Sequence, residues 1–175
     1  MSNPLFVRFL ALLVVAAIVL VLISTTKNAS ATTPGGHSSH QRRDPLDRPN
    51  FILLFVDDLG YADLGFNGHP TTVTTNMDRL AWNGKILTTW YSGCDVCTCS
   101  RAALMTGRQY PRTGVNEVFG PTTEKGLPLE EITVAEQLKQ ANYTTAIVGK
   151  WHLGQRLAYL PGSQGFDYYL GIPYR

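Results

Sequence analysis

The chain has few cysteines and no excess of charge of one sign. Its 175 residues include 3 cysteines, and 15 Lys and Arg are balanced by 13 Asp and Glu. Three cysteines are too few for a small secreted domain held together by disulfides. The near-neutral balance argues against a nucleic-acid-binding module, and a hydrophobic content of 44% excludes a disordered tail. With 16 glycines and 10 prolines, the composition instead predicts one compact domain with many turns.

An apolar run near the start of the chain has the order of an export signal. Residues 9–23 are apolar without interruption, Arg8 precedes them, and Ala-Ser-Ala follows at 29–31. This order predicts a signal peptide over residues 1–31. The run is shorter than the roughly 18–20 apolar residues that span a bilayer, so cleavage is favoured over a membrane anchor made by residues 9–23. A core helix is disfavoured because the run has no polar face.

Residues 32–49 carry Thr, Ser, Gly, Pro, His and Arg without apolar periodicity, so we expect a flexible linker there. Export would place the following domain in an oxidising compartment, where Asn28 and Asn142 become candidate N-glycan acceptors. Asn142 matters more, because it should occupy an exposed left-handed turn after a helix.

Residues 50–175 alternate short apolar runs with helical stretches. The predicted order is a strand at 51–56, a helix at 75–81 capped by Thr75, a strand at 85–91, a helix from a Thr133–Glu136 capping box to about 141, and a strand at 144–148. Strands that alternate with helices indicate an α/β fold with a parallel sheet.

Two aspartates, Asp57 and Asp58, follow the first predicted strand. Ligands of open α/β sheets collect at the carboxyl ends of the strands. Because neighbouring strand residues point to opposite faces, both carboxylates can reach one hard cation only if the chain turns there, which Gly60 would allow. The alternative is a solvated turn that binds nothing.

A second candidate site lies in residues 97–108. Ser100 can cap a short helix that ends before a glycine, so Cys97 would lie just ahead of a helix N-terminus. Such an end attracts a sulfate- or phosphate-like anion, and Arg101 adds a charged donor beside it. The three cysteines, Cys94, Cys97 and Cys99, allow other interpretations. Cys94 and Cys97 could form half a zinc site or a redox pair, and two of the three could form a structural disulfide.

A third candidate site surrounds Trp151. Lys150 and His152 are two residues apart, so on an extended segment both project to one side while Trp151 turns toward the core. One ammonium group and one titratable ring would then face the same cleft. The alternative is a surface lysine and histidine around a core tryptophan.

With these residues identified, the chain resembles the sulfatase family, in particular the arylsulfatase A group of the alkaline-phosphatase-type superfamily. Residues 97–108 are similar to the signature in which Cys-x-Pro-Ser-Arg is followed by an apolar stretch and Thr-Gly-Arg. Further segments follow in family order after the Asp-Asp pair, at 75–81, 127–136, 149–154 and 164–174. The resemblance covers residues 49–175 and implies the front part of a mostly parallel, helix-flanked sheet.

The resemblance implies a modified nucleophile and a metal. Cys97 would be oxidised to formylglycine by formylglycine-generating enzyme, and its hydrated aldehyde would attack the sulfur of a sulfate monoester. Asp57 and Asp58, together with the modified Cys97, would hold calcium. The implied substrate is a sulfated small molecule, glycolipid or carbohydrate, met in the lysosome or outside the cell.

The resemblance also assigns the remaining candidates. Arg101 would steady the modified residue, Lys150 would bind the sulfate group, and His152 would transfer a proton at the hydrate. Together with the calcium ion, the cationic side chains would offset the negative charge that develops in the transition state.

The chain departs from the family pattern in two ways. Cys99, and likewise Thr75, stand where the family usually has proline. Family members run to several hundred residues, and the rest of their calcium shell lies beyond a point corresponding to Arg175, so we expect this chain to be incomplete and inactive alone. The alternatives are a non-catalytic relative that binds sulfated ligands and a phosphoryl-transfer hydrolase with an unmodified Cys97.

The export segment can be tested directly. Because Ala-Ser-Ala at 29–31 follows a short apolar run, expression in a secretory host should give a mature N-terminus near Thr32. N-terminal sequencing measures this. A membrane-retained product that begins at Met1 or Ser2 would show that the segment is an anchor.

Overall fold

A mixed four-stranded sheet forms the centre of the fold. The structure is a computed structural model that describes residues 17–22 and 49–174. The strands are β1 (Ala17–Leu22), β2 (Phe51–Val56), β3 (Ala146–Lys150) and β4 (Tyr168–Ile172), in the order β2-β1-β3-β4. β1 is antiparallel to β2 and β3, and β3 is parallel to β4. β2, β3 and β4 therefore run in one direction, and their carboxyl ends lie at one edge of the sheet.

The position of β1 differs from the sequence expectation, which starts the ordered domain near Asn50. Six residues of the apolar run pair with β2, from Ala17 opposite Val56 to Leu22 opposite Phe51. Three of its six residues are Ile or Val, which favour strands, and the hexapeptide covers an edge of both β2 and β3. Its antiparallel direction makes the sheet mixed rather than wholly parallel.

The predicted cleavage site and nearly all of the predicted linker lie outside the described residues. The signal peptide and the linker therefore stay predictions. Cleavage near Thr32 would remove β1 and leave the edges of β2 and β3 that it covers free for other strands.

The described ranges contain four α-helices: α1 (Thr75–Trp82), α2 (Cys97–Thr106), α3 (Tyr110–Thr113) and α4 (Val134–Gln140). Short 3₁₀ turns occur at Gly65–Asn67, Leu157–Tyr159 and Pro161–Gln164. None of the helices within residues 17–22 and 49–174 has the length and apolar content needed to cross a membrane.

The capping box of α4 is confirmed. The Glu136 amide donates to Thr133 Oγ1 at 3.2 Å, and the Thr133 amide donates to Glu136 Oε2 at 2.7 Å. Asn142 follows with a φ of 60°, the left-handed conformation expected there. The cap of α1 was misplaced by one residue: Thr74, not Thr75, is the N-cap, and its hydroxyl donates to Asp78 inside the helix at 2.7 Å.

Two predicted strands change. Residues 85–91 form turns and irregular backbone rather than a strand, because their apolar residues come in adjacent pairs that match neither strand nor helix periodicity. The strand predicted at 144–148 runs instead over Ala146–Lys150. It begins later because the amide of Thr145 donates to Asp167 Oδ2 at 2.8 Å and its hydroxyl donates to the Gly165 carbonyl at 2.7 Å.

The core lies between the sheet and helices α2 and α4. Trp151, directly after β3, is buried as expected and packs edge to face on Phe166, with ring centroids 6.0 Å apart. Ile147 of β3 belongs to the same cluster as Met105 of α2. Other apolar residues of β2 and β4 are exposed, including Ile52, Leu54 and Leu170. The packed core thus fixes β3 and α2, which carry the candidate site.

The turn at Asn142 predicts a glycan. Asn142 and Thr144 are exposed, so a glycan there disturbs no packed contact, and the secreted protein should shift in gel mobility after treatment with a glycan-removing amidase. The Asn142→Gln variant is the matched control and should not shift at this site. An unshifted parent would show that the sequon is skipped.

Candidate active site

The acidic pair lies where β2 leaves the sheet. β2 ends at Val56, and Asp58 has a φ of 56°, in the left-handed region that aspartate tolerates better than most residues. The turn is therefore made at Asp58 itself, and not at Gly60 as the sequence suggested. Asp57 is half-buried and Asp58 exposed. This turn removes the strand alternation that would have sent the two carboxylates to opposite faces.

Cys97 is the first residue of α2. Val96 is the N-cap and makes no side-chain cap hydrogen bond, so Ser100 is not the cap; it lies inside the helix and is buried. Gly107 ends the helix in the left-handed conformation, as a glycine at C′ usually does. The Cys97 thiol is free, half-buried, and 3.7 Å from Asp57 Oδ1. The nucleophile candidate and the acidic pair are thus brought together.

Arg101, one turn further along α2, is 4% exposed. Its Nη1 donates to the Lys150 carbonyl at 2.7 Å, and its guanidinium lies 5.4 Å from the centre of the Phe55 ring. Its Nη2 lies 3.4 Å from Asp57 Oδ1, and within residues 17–22 and 49–174 neither Nη2 nor Nε has a hydrogen-bond acceptor. Burial lowers the pKa of Arg101, and the Asp57 carboxylate partly offsets this. Two donor atoms of this buried cation therefore lack a hydrogen-bond partner among the described residues.

Lys150, the last residue of β3, is also buried. Its Nζ donates to Asp57 Oδ2 at 2.7 Å, so Asp57 is held between two cations from different elements. Burial alone would raise the pKa of Asp57, but the hydrogen bond from Lys150 and the charge of Arg101 prevail and lower it. Asp57 is therefore ionised at neutral pH.

His152 is buried beside this group, with a φ of 61°. His152 lies beyond the end of β3, so the strand alternation that was expected to put its side chain on the same side as that of Lys150 does not apply. A ring nitrogen, Nε2, lies 2.7 Å from the Phe119 carbonyl, which can only accept, so Nε2 carries the proton. Burial lowers the pKa of His152, and the charges of Lys150 and Arg101 add to this effect. The neutral ring then has a lone pair on Nδ1, which has no partner in the part of the chain that the structure describes.

The site opens into a cleft of about 370 Å³. Cys97, Asp57 and Asp58 line it, and Asp95 adds a carboxylate that no sequence motif indicated. Arg101 and Lys150 do not line this cleft; they lie behind it, around a separate small cavity. The open wall of the cleft is thus acidic, and the positive charges of Arg101 and Lys150 lie behind it.

The side chains of Asp57, Asp58 and Cys97 could hold a metal ion. One ligand atom from each lies within 4.8 Å of the others. The two carboxylates suit a hard cation, whereas the cysteine sulfur does not. An oxygen atom in place of the Cys97 Sγ would make all three ligand atoms hard donors.

The cysteine alternatives are decided by a disulfide between Cys94 and Cys99. The bridge occupies the two sulfur atoms that flank Cys97, so Cys94 and Cys97 form neither a redox pair nor half a zinc site in this structure. The Cys-x-x-Cys spacing gave no sign that Cys99 would be the partner.

The fold and site define an α/β domain with a cysteine at a helix N-terminus beside an acidic strand end. The sulfatase family model matches residues 49–174. The chain belongs to the sulfatase family, whose members are sulfuric ester hydrolases.

The similarity extends to characterised relatives. The chain is 48% identical to rat arylsulfatase G over 127 residues, which are 73% of this chain and 24% of that protein. It is 52% identical to human arylsulfatase A over 129 residues, 72% of this chain and 25% of that protein. The crystal structure of Ps i-CgsB in complex with k-i-k-neocarrahexaose matches with a TM-score of 0.64 at 39% identity, over 66% of this chain and 26% of that one. The chain thus spans about a quarter of the length of these relatives.

The position of Asp57 between two cations predicts a large effect on stability. With a chelator present, Asp57→Asn should lower the free energy of unfolding by about 3–5 kcal/mol at pH 7, because it leaves two buried cations without their partner. Since the folded-state pKa of Asp57 is lowered, this contribution is present above its ordinary value of 3.8 and is lost as the pH falls through the lower folded value.

Asp58→Asn is the matched control. Asp58 is exposed and makes no ion pair within the described residues, and asparagine also tolerates its backbone conformation, so the change should stay within about 0.5 kcal/mol. Chemical denaturation between pH 3 and pH 7 measures both variants. Equal effects would contradict the role given to Asp57.

Proposed function

We propose that this protein is a sulfuric ester hydrolase of the arylsulfatase type that uses a formylglycine at position 97 and a calcium ion. The observation that carries the proposal is the position of Cys97, at the first turn of α2 and 3.7 Å from the ionised Asp57. The implied substrates are sulfated small molecules, glycolipids or carbohydrates. Membership of the sulfatase family and the similarity to arylsulfatases A and G support this substrate class.

Calcium suits the acidic wall of the cleft. A sulfate ester is an anion and would be repelled by Asp58 and Asp95 unless a cation lay between them. Asp57 and Asp58 would hold the calcium ion, which would supply Lewis acidity toward sulfate oxygens. Calcium takes six to eight oxygen ligands, so other residues or water must complete its shell.

Formylglycine suits the same donor set better than cysteine does. A hydrated aldehyde at residue 97 would supply an oxygen nucleophile toward sulfur and a second hydroxyl for release of sulfate. It would also replace the sulfur of the Asp57, Asp58 and Cys97 group by oxygen, the donor that calcium prefers. Formylglycine-generating enzyme is therefore a proposed partner in maturation.

The buried cations have two roles in this proposal. Arg101 fixes Asp57 and offers its free Nε and Nη2 donors to residue 97 or to sulfate. Lys150 uses one N–H on Asp57, and its ammonium has two more for a sulfate oxygen. Both are held rigidly before substrate arrives, which is the condition for electrostatic stabilisation of a transition state.

His152 is the proposed proton carrier. Its neutral ring, with Nε2 held by the Phe119 carbonyl, leaves Nδ1 free to accept a proton. Because burial lowers its pKa, the ring is an acceptor at neutral pH and loses that capacity as the pH falls through its folded pKa, which lies below 6.5.

We further propose that the protein works in the secretory pathway, in the lysosome or outside the cell. The predicted signal peptide supports this location, and an uncleaved segment at 9–23 would instead tether the protein to a membrane.

The proposal predicts calcium-dependent activity that requires Cys97. A polypeptide of its relatives' length that contains residues 49–174, made with formylglycine-generating enzyme, should hydrolyse a small aryl sulfate and lose that activity with a chelator. Cys97→Ala should abolish turnover. A tryptic peptide of residues 86–101 should carry the mass of an aldehyde at position 97.

Asn142→Gln is the control for this test, because Asn142 is exposed and lies outside the site; it should keep full activity. Turnover by protein whose Cys97 is entirely thiol would refute the formylglycine mechanism.

A further inference from the structure

One carboxylate of the cleft has no role in the proposed mechanism. Three aspartates line the cleft, and the described residues supply its lining with no cationic side chain. Asp57 is held by Lys150 and Arg101, and Asp58 belongs with Asp57 to the group that could hold a metal ion. Asp95 is exposed and forms no ion pair in the part of the chain that the structure describes. No side chain of this part therefore compensates its negative charge.

The sulfur atoms beside Asp95 do not offset this charge. Ligand atoms of Cys94, Asp95 and Cys99 lie within 4.8 Å of one another, a spacing that would suit a metal ion. Cys94 and Cys99 are joined in a disulfide, so neither offers a thiolate to a metal. Cys94 Sγ lies 3.3 Å from Asp95 Oδ1, but a sulfur atom in a disulfide has no proton to donate. Asp95 thus lines the cleft as an anion without a counter-charge from these neighbours.

Asp95 lies close to the place where the leaving group of a sulfate ester would fit. It comes two residues before Cys97, in the segment that leads into α2, and both residues line the cleft. The cleft volume of about 370 Å³ is near the lower end for small-molecule sites, so it has room for a sulfate group and a single ring. A second charged group on that ring would therefore lie close to the Asp95 carboxylate.

The rest of the lining is largely apolar. Its apolar members are Phe55, Val56, Leu59, Val96 and Val118, and two serines add neutral hydroxyl groups. Such a surface favours the burial of an apolar ring, and a carboxylate or a second sulfate on that ring would lose water without gaining a cationic partner from the described residues. The apolar lining and the charge of Asp95 thus disfavour the same ligands.

We propose that Asp95 is a specificity-determining residue that selects sulfate esters whose leaving group is apolar and carries no negative charge. The substrate class is then aryl and other apolar monosulfates. Esters with a carboxylate or a second sulfate on the leaving group are disfavoured through repulsion by Asp95. The inference rests on the proposed function for the position of the sulfate group beside residue 97, and it narrows the substrates implied there, since polyanionic saccharides fall outside this class.

Binding of two sulfonates that cannot be hydrolysed as esters tests this inference. Benzenesulfonate carries one negative charge, and 4-sulfobenzoate carries a second one on the same ring. Their dissociation constants are measured by ligand-observed NMR, with calcium present, on the polypeptide of the relatives' length that contains residues 49–174. The parent is compared with Asp95→Asn, Asp95→Glu and Glu130→Gln. Glu130→Gln is the matched control, since Glu130 is exposed, forms no ion pair within the described residues and does not line the cleft.

The parent should bind benzenesulfonate about tenfold more tightly than 4-sulfobenzoate, as expected for one additional pair of like charges at short range. Asp95→Asn should reduce this preference to about twofold or less, whereas Asp95→Glu and Glu130→Gln should keep it. The preference should also weaken with added salt, because Asp95 is exposed. A purely structural role of Asp95 before α2 would instead change the binding of both probes equally and leave the preference intact.

Equal binding of both probes by the parent, binding of neither, or a preference that survives in Asp95→Asn would overturn the inference. Hydrolysis of phenyl sulfate and 4-carboxyphenyl sulfate should follow the same pattern in kcat/KM. Absence of hydrolysis of both esters, with the sulfonate preferences as expected, would count against the proposed function alone.

Discussion

The ionised Asp57, held between Lys150 and Arg101, is the interaction on which the site depends. Lys150 ends β3, Arg101 lies in α2, and Asp57 follows β2, so one carboxylate joins three elements that are distant in sequence. Both cations are almost fully buried, and an unpaired buried charge is strongly unfavourable. The same carboxylate lies 3.7 Å from the Cys97 thiol, so the ion pairs that join the three elements also place Asp57 beside Cys97.

The electrostatics of the cleft follow from this arrangement. The two cations are already committed to Asp57 and lie behind the open wall, so the charges first met by a ligand are those of Asp58 and Asp95. Such a wall attracts a cation before it attracts an anion. In the proposed function, a bound calcium ion would stand between this wall and a sulfate ester, so metal binding and substrate binding would be coupled.

Local patterns predicted local structure well. The capping box at Thr133, the left-handed Asn142 and the strand β2 that ends before Asp57 were all predictable, because each depends on a few neighbouring residues. The motif at residues 97–108 predicted the sulfatase family correctly, because it too is a short stretch of neighbouring residues. The placement of Trp151 in the core also followed from its position beside a strand.

Features that depend on distant partners were not predictable. The ion pairs of Asp57 span more than 40 residues of chain, and no spacing rule reports them. The pairing of Cys94 with Cys99 depends on how the preceding loop packs on α2, and the antiparallel β1 depends on free sheet edges. Residues 85–91 have strand-like composition but no apolar alternation, so composition alone misled.

In the proposed function, Asp57 and Asp58 hold a calcium ion beside residue 97. The most direct test of this proposal is a crystal structure grown with calcium, with anomalous diffraction measured at long wavelength. We expect an anomalous peak about 2.3–2.6 Å from oxygens of both carboxylates and adjacent to residue 97. A cleft that binds calcium elsewhere, or that stays without a peak at saturating calcium while Asp57 keeps its contacts with Lys150 and Arg101, would contradict the account.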